Sequence, residues 1–388
     1  MRRTLAVVMV LILLMLGNNA AAVVQLPYSP EPASALWKLY DPELHYWYQQ
    51  LTEAEKRLFS ARYDCIALGQ ADLWDYPCGR LTLENRERID YALMMDCPEL
   101  LYFPQARALD PFSYGRFRAP DEAFCAQHAA LLPDRLAECM AALDAIRRQP
   151  EWGETDFEKE IAADRFLVHH CMYEAEYDMT DIEQNPELDG DRRTAYGALV
   201  EGRAVCSGYA SAMTLAMRCF GVPCLSTTGF DYPGNGSFIA HEWNILQIGG
   251  EWTHEDVTFN DYDDEAYIED YFPSTNLTSL EVFRLVREDL LRAGMNLPNP
   301  PSTSDRNNYY IRKGQTLGAD WQAEAVRRVR EAHDAGRHAI GFRMLDNAAF
   351  EEAARMVDSQ EMSVFAGVGF PVTVDYERYA RMLYIRWE

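Results

Sequence analysis

The stretch Glu201–Gly221, "EGRAVCSGYASAMTLAMRCFG", decides how this chain folds. It approaches one cysteine, Cys206, through Gly-Arg-Ala-Val and then runs on with hardly a charge, which predicts a helix buried nearly all round. Gly221, followed by Val222-Pro223, marks the stop. A cysteine at a helix start has the positive end of the helix dipole beside it. That favours the thiolate, and the cysteine's own backbone N–H can donate to a developing oxyanion. A buried structural thiol would fit the same pattern. Partners decide between the two, because a nucleophilic thiolate needs a base and the base needs a group to orient it.

Those partners lie downstream. "PCLSTTGF" (223–230) reads as a strand, and "HEWNILQIGGEWTHEDVTF" (241–259) as two strands joined by a two-residue turn at Gly249-Gly250. That turn sets Ile248 opposite Glu251, Trp243 opposite Asp256 and His241 opposite Thr258. His241 and Asp256 then share a face as diagonal neighbours, ~7–8 Å apart at Cα, a gap their side chains can bridge. Register alone supplies a base and an orienter; it does not bring Cys206 to them. His254 has the parity of Asp256 and is a rival base, opposite Ile245. Trp243, Asn244 and Trp252 are placed to line or support the site, Trp252 as hairpin packing. Tyr209 and Tyr196 are candidates for a second oxyanion donor. His169-His170 falls in a helix without an evident partner and reads as structural or surface. Glu255 is turned away from the site face by its parity.

"RTAYGALVEGRAVCSGYASAMTLAMRCFGVPC" (193–224) with "HEWNILQIGGEWTHEDVTFND" (241–261) resembles the core of the transglutaminase-like superfamily, with its cysteine-protease-like fold. The resemblance implies a cysteine-bearing helix packed on an antiparallel sheet, with the histidine and aspartate on two adjacent strands. Carried over residue by residue, Cys206 is the nucleophile, His241 the base and acid, and Asp256 the orienter. The likeness spans Thr194–Asp261 and thins out back towards Glu158. "YALMMDCPELLYF" (91–103) resembles a phrase of bacterial members that carry a helical N-terminal region. The implied chemistry is cleavage of a peptide or glutamine-type amide bond through a thioester, hydrolysis being favoured over transfer to an amine. The alternatives are a protein-crosslinking acyltransferase (a transglutaminase) and, from another class, a non-catalytic binding module on the same scaffold. The chemistry calls for no cofactor and no metal. The substrate class is protein or peptide, with cell-wall peptide as one candidate.

Composition bounds the setting. The 388 residues support more than one domain, and 48% of them are apolar, so the chain buries a core. Residues 1–22 combine Arg2-Arg3, an apolar run from Leu5 to Leu16 and a small-residue end at Ala20-Ala21-Ala22, which reads as a secretory signal peptide. The run is shorter than the ~20 residues a comfortable span needs, so stable membrane insertion after cleavage is not expected. The expected location is secreted or periplasmic. The formal charge of -25 repels phosphate backbones and argues against nucleic-acid binding. Export permits disulfides among the nine cysteines, and Cys65/Cys78, Cys125/Cys139 and Cys219/Cys224 are near in sequence; an odd count leaves at least one thiol free. Asn260-Asp261-Tyr262-Asp263-Asp264-Glu265 lacks the glycine and ligand spacing of an EF-hand and reads as a solvated acidic loop.

The fold class expected is α+β. It divides into a signal peptide (1–22), a helical N-terminal region (23–150), a transglutaminase-like core (151–297) whose antiparallel sheet packs on the cysteine-bearing helix, and a small C-terminal α+β region (298–388). Helices are predicted from Pro42 to Arg148, with a loop at 110–120 and a break at Pro133, and again after Thr155 or Asp156 as N-cap. The tail reads helix at 320–335, strand at 338–345, helix at 347–358 and a hairpin from Phe370 to Trp387.

Overall fold

The computed structural model describes residues 29–102, 119–174, 191–231, 239–261, 275–278, 295–378 and 380–387. The expected signal peptide, the acidic run after Asp261 and nearly all of the 110–120 loop lie outside them.

The chain is α+β. The N-terminal region holds helices α1 (Glu53–Leu68), α2 (Leu83–Asp96) and α3 (Glu122–Ile146), followed by α4 (Asp156–His170). Three of these starts carry a reciprocal capping box: Thr52 with Glu55, Thr82 with Asn85, and Thr155 with Glu158. Thr155 is thus the N-cap of α4. The break expected at Pro133 does not occur: α3 runs straight through it. Leu132, Leu136, Cys139, Leu143 and Ile146 form one buried stripe on either side of the proline, and that packing holds the helix together across the missing N–H.

Two short parallel strands, β1 (Met172–Tyr173) and β2 (Arg203–Ala204), lead to α5 (Cys206–Cys219). An antiparallel sheet follows in the order β3 (Cys224–Asp231), β4 (Ile239–Ile248), β5 (Glu251–Glu255), β6 (Thr275–Leu277). The turn between β4 and β5 is the two-residue one read from the sequence. Gly249 and Gly250 both take positive φ, at 56° and 84°, and Ile248 pairs with Glu251. The single turn α6 (Val257–Asn260) follows β5. The C-terminal region builds a second sheet, β7 (Thr316–Leu317), β8 (Ala339–Met344), β10 (Met382–Arg386) and β9 (Thr373–Glu377), with α7 (Trp321–Asp334) and α8 (Asn347–Asp358) packed around its own apolar cluster.

The first sheet is covered on both faces. α5 lies on one, with Leu246 and Ile248 beneath it; the N-terminal helices share a second cluster with Leu225 and Ile245, which pair directly across β3 and β4. Polar contacts tie the N-terminal region to the core. Trp47 donates its indole N–H to the Ser226 carbonyl at 2.9 Å, and Arg218 of α5 meets Asp96 at 2.8 Å, both side chains fully buried. Arg218 also donates to the carbonyls of Asp96 and Cys224, both at 2.6 Å. No helix of the described residues is long and apolar enough to cross a membrane.

All nine cysteines are free thiols. Cys125 and Cys139 cannot meet, because fourteen residues of continuous α3 hold them ~21 Å apart. Cys65 instead lies 3.7 Å from Cys125, sulfur to sulfur, where α1 crosses α3. The Cys224 sulfur contacts Thr214 Oγ1 at 3.9 Å.

Candidate active site

The site forms where the sheet stops. A two-residue hairpin makes Ile248 and Glu251 a hydrogen-bonded pair, so along β4 the N–H groups of residues 246, 244 and 242 all point towards the β5 side. β5 ends at Glu255, opposite Asn244, and the chain turns into α6. The N–H of Glu242 therefore has no strand left to pair with. Cys206, the first residue of α5, occupies that place: its sulfur accepts the Glu242 N–H and bonds to the His241 side chain.

His241 is held on three sides. Its Nε2 meets Asp256 Oδ2 at 2.6 Å, and its ring stacks on Phe259, centroids 4.8 Å apart at 26°, and lies parallel to Trp243 at 6.1 Å. With Nε2 committed to Asp256, Nδ1 is the ring nitrogen that faces the sulfur. Asp256 does not sit on a strand, as the sequence suggested. It is the N-cap of α6, accepting the Phe259 N–H at 3.3 Å. The same carboxylate thus fixes the turn and the imidazole.

The electrostatics fit an ion pair. Burial pushes the Cys206 thiol up, but the His241 hydrogen bond and charge, the Glu242 N–H and the Arg193 guanidinium together bring it below the usual thiol value. Burial alone would lower His241; the Asp256 charge and hydrogen bond, then Cys206, override it and hold the imidazole well above its usual value. The first helical position adds the dipole of α5 and a backbone N–H outside the intrahelical ladder.

The segment that carries Asp256 is anchored from behind. Asn260 Nδ2 donates to Asp164 Oδ2 at 2.6 Å, to Glu255 Oε1 at 2.9 Å and to Thr275 at 2.9 Å, while Asn276 donates to Glu160 at 2.9 Å. Glu255 pairs with Asn244, accepts from Asn260 and Thr275, and is wholly buried. Burial raises the pKa of Glu160, Asp164 and Glu255 alike, Glu160 to about 8. Among the described residues no group of three or more His, Cys, Asp or Glu side chains could hold a metal ion.

The other candidates are committed elsewhere. His254 accepts the Trp243 indole N–H on Nδ1 at 3.0 Å, which makes it a support for the hairpin. The buried Tyr209 hydroxyl sits between the Cys171 carbonyl, at 3.0 Å, and Asp261; Tyr196 donates to Glu138 at 2.8 Å. Both hydroxyls are thus engaged by other groups of the protein. Asn244 pins β4 to α5 through Ala210 O and Thr214 Oγ1, both at 2.9 Å. Trp252 packs edge-on against Tyr46 of the N-terminal region, and His170 stacks on Phe166. Two charged neighbours escaped the sequence reading. Arg193 is reached only through the path of the chain before β2. Glu242 had a legible signal: an ionisable residue at a β4 position whose parity faces α5.

Gly208 lets the first turn of α5 approach this point. A Cβ there would lie 2.4 Å from the Arg192 carbonyl oxygen and 2.7 Å from Ala204 Cβ. Gly208→Ala is expected to cost about 1–3 kcal/mol and to slow alkylation of Cys206, because the turn that aims the sulfur must move. A urea midpoint equal to wild type would rule out that close approach.

Residues 145–257 match the family model described as "Transglutaminase-like superfamily". A crystal structure of a TGase resembles 34% of this chain and 34% of its own length, at 14% identity and TM-score 0.27. A putative cysteine protease from Cytophaga hutchinsonii resembles 31% of this chain and 37% of its own, at 16% identity and TM-score 0.24. The chain thus spans about a third of the length of each. No curated protein matches it.

Proposed function

We propose, from a chain whose core is a transglutaminase-like domain, that this protein is an exported cysteine-nucleophile enzyme that cleaves peptide or glutamine-type amide bonds through a thioester. The observation that carries the reading is the linear contact Cys206–His241–Asp256, with both proton-bearing groups shifted towards a thiolate–imidazolium pair. The Cys206 thiolate attacks the carbonyl carbon. The Cys206 N–H receives the oxyanion, and His241 gives its Nδ1 proton to the departing amine or ammonia. Collapse leaves a thioester on Cys206 and a neutral imidazole held by Asp256. Water then gives His241 a proton as it attacks, and the acid leaves as the thiolate re-forms. Hydrolysis is the favoured outcome; a primary amine in place of water would yield a crosslink by the same steps. Export is supported by the N-terminal pattern of residues 1–22, and a peptide or protein substrate by the reaction class.

The test is incubation of the protein with an unfolded polypeptide, with and without a labelled primary amine. New peptide termini or free ammonia, lost in Cys206→Ala, would support hydrolysis. Incorporation of the amine, equally lost in Cys206→Ala, would move the assignment to transfer. An inert protein whose Cys206 also shows no preferential alkylation near pH 6 would sink both and favour a binding module.

A further inference from the structure

Even-numbered residues of β4 face α5. Asn244 bonds to it, and Leu246 and Ile248 enter the core beneath it. Glu242 has the same parity, lies one pleat nearer Cys206 and is 4% exposed. On α5 the facing stripe is Ser207, Ala210 and Thr214. Glu242 bonds to Ser226 of β3, but among the described residues its Oε2 has no partner, and neither has Ser207 Oγ. Two orphaned oxygens thus lie in the layer beside the nucleophile, where an ionised carboxylate would be left without solvation.

Burial, and then the negative sulfur, push the Glu242 carboxyl well above its usual value; His241, Arg193 and the Ser226 hydroxyl pull the other way and do not win. Among the described residues the charged and titratable groups that act on it are Cys206 from α5, His241 from its own strand and Arg193 from the segment before β2; β3 presents Ser226 and Thr228, and Thr228 bonds to the Tyr91 hydroxyl at 3.4 Å. Two acids enclosed side by side do not both ionise.

We propose that Glu242 and Cys206 share a single negative charge: Glu242 keeps its proton while the sulfur is a thiolate and releases it when the sulfur is alkylated and His241 stays charged. The inference rests on the thiolate reading above. Alkylation by iodoacetamide forms a C–S bond, breaks the C–I bond and expels iodide, so the sulfur's charge leaves with iodide. His241 and Arg193 then draw the negative charge onto Glu242, whose proton passes to solvent. Glu242 is a positioning residue: it acts on the reacting sulfur through charge, staying neutral beside the thiolate so that the pair carries one negative charge and not two.

The experiment alkylates the full-length protein with iodoacetamide at about pH 8 and follows infrared difference spectra and proton release, in wild type and Glu242→Gln. Wild type is expected to lose a carboxylic-acid C=O band, gain carboxylate bands and release about one proton more per alkylated Cys206 than Glu242→Gln, which shows no such exchange. Identical spectra and proton counts in the two proteins would overturn the proposal while leaving the thiolate reading intact. So would a Cys206 alkylation profile whose acid limb drops by about a unit or more in Glu242→Gln, since that marks a carboxylate already ionised beside the sulfur. Should Glu242→Gln fail to fold, the wild-type spectrum decides, and an unchanged carboxylic-acid band overturns the proposal. A Cys206 that resists alkylation altogether would remove this inference and the function together.

Discussion

Replacing His241 with alanine is expected to slow acyl transfer by on the order of 10²–10⁴-fold, in a protein that still unfolds cooperatively. The size follows from a double role. His241 keeps Cys206 ionised, and it carries the proton to the leaving group. The pH dependence gives the sign. The thiolate is lost as pH falls through the lowered Cys206 value, and the imidazolium is lost as pH rises through the raised His241 value. Each shift moves its limb outward, so the active window is wider than free thiol and imidazole would allow. In His241→Ala the acid limb of Cys206 alkylation should move up towards an ordinary thiol, about 8.5. Equal alkylation rates near pH 6 in the two proteins would show that another group ionises the sulfur.

Asp96→Ala is expected to cost about 3–5 kcal/mol, though it lies far from the chemistry. Arg218 and Asp96 are both wholly buried at 2.8 Å, and removing the carboxylate strands a guanidinium between α5 and the N-terminal helices. The carbonyls of Asp96 and Cys224 would still accept from it, but they do not neutralise it. Replacing both residues together by apolar ones of similar size should restore much of the loss, since the pair repays its own desolvation only in part. The readout is the urea midpoint of the two single variants and the double. A single variant within about 1 kcal/mol of wild type would mean that water reaches the arginine.

Much of this arrangement is legible in the sequence because a hairpin is local. Gly249-Gly250 sets the turn, the turn sets the pairing of Ile248 with Glu251, and the pairing puts His241 and Asp256 within reach of each other. The near absence of charge after Cys206 likewise announces a helix enclosed on all sides, and α5 is one. What the sequence hides is non-local. Nothing near Arg218 says that Asp96 waits for it more than a hundred residues away, and nothing near Glu255 says that Asp164 and Asn260 will enclose it. Strand ends are hidden too. Asp256 was expected on a strand, but its own side chain accepts from the Phe259 N–H and ends the strand one residue earlier. A polar residue that can cap a turn competes with the ladder, and periodicity carries no trace of that contest.

The Glu242 N–H that holds the sulfur belongs to the main chain. Any of the other side chains that keep β4 extended would leave that donor in place, so drift at position 242 can change the charge beside the nucleophile without removing its grip on the thiolate. Proline is the exception, since it has no N–H to give. The part of the site exposed to mutation is therefore the side chain that tunes the cysteine, while the contact that seats it is inherited with the fold.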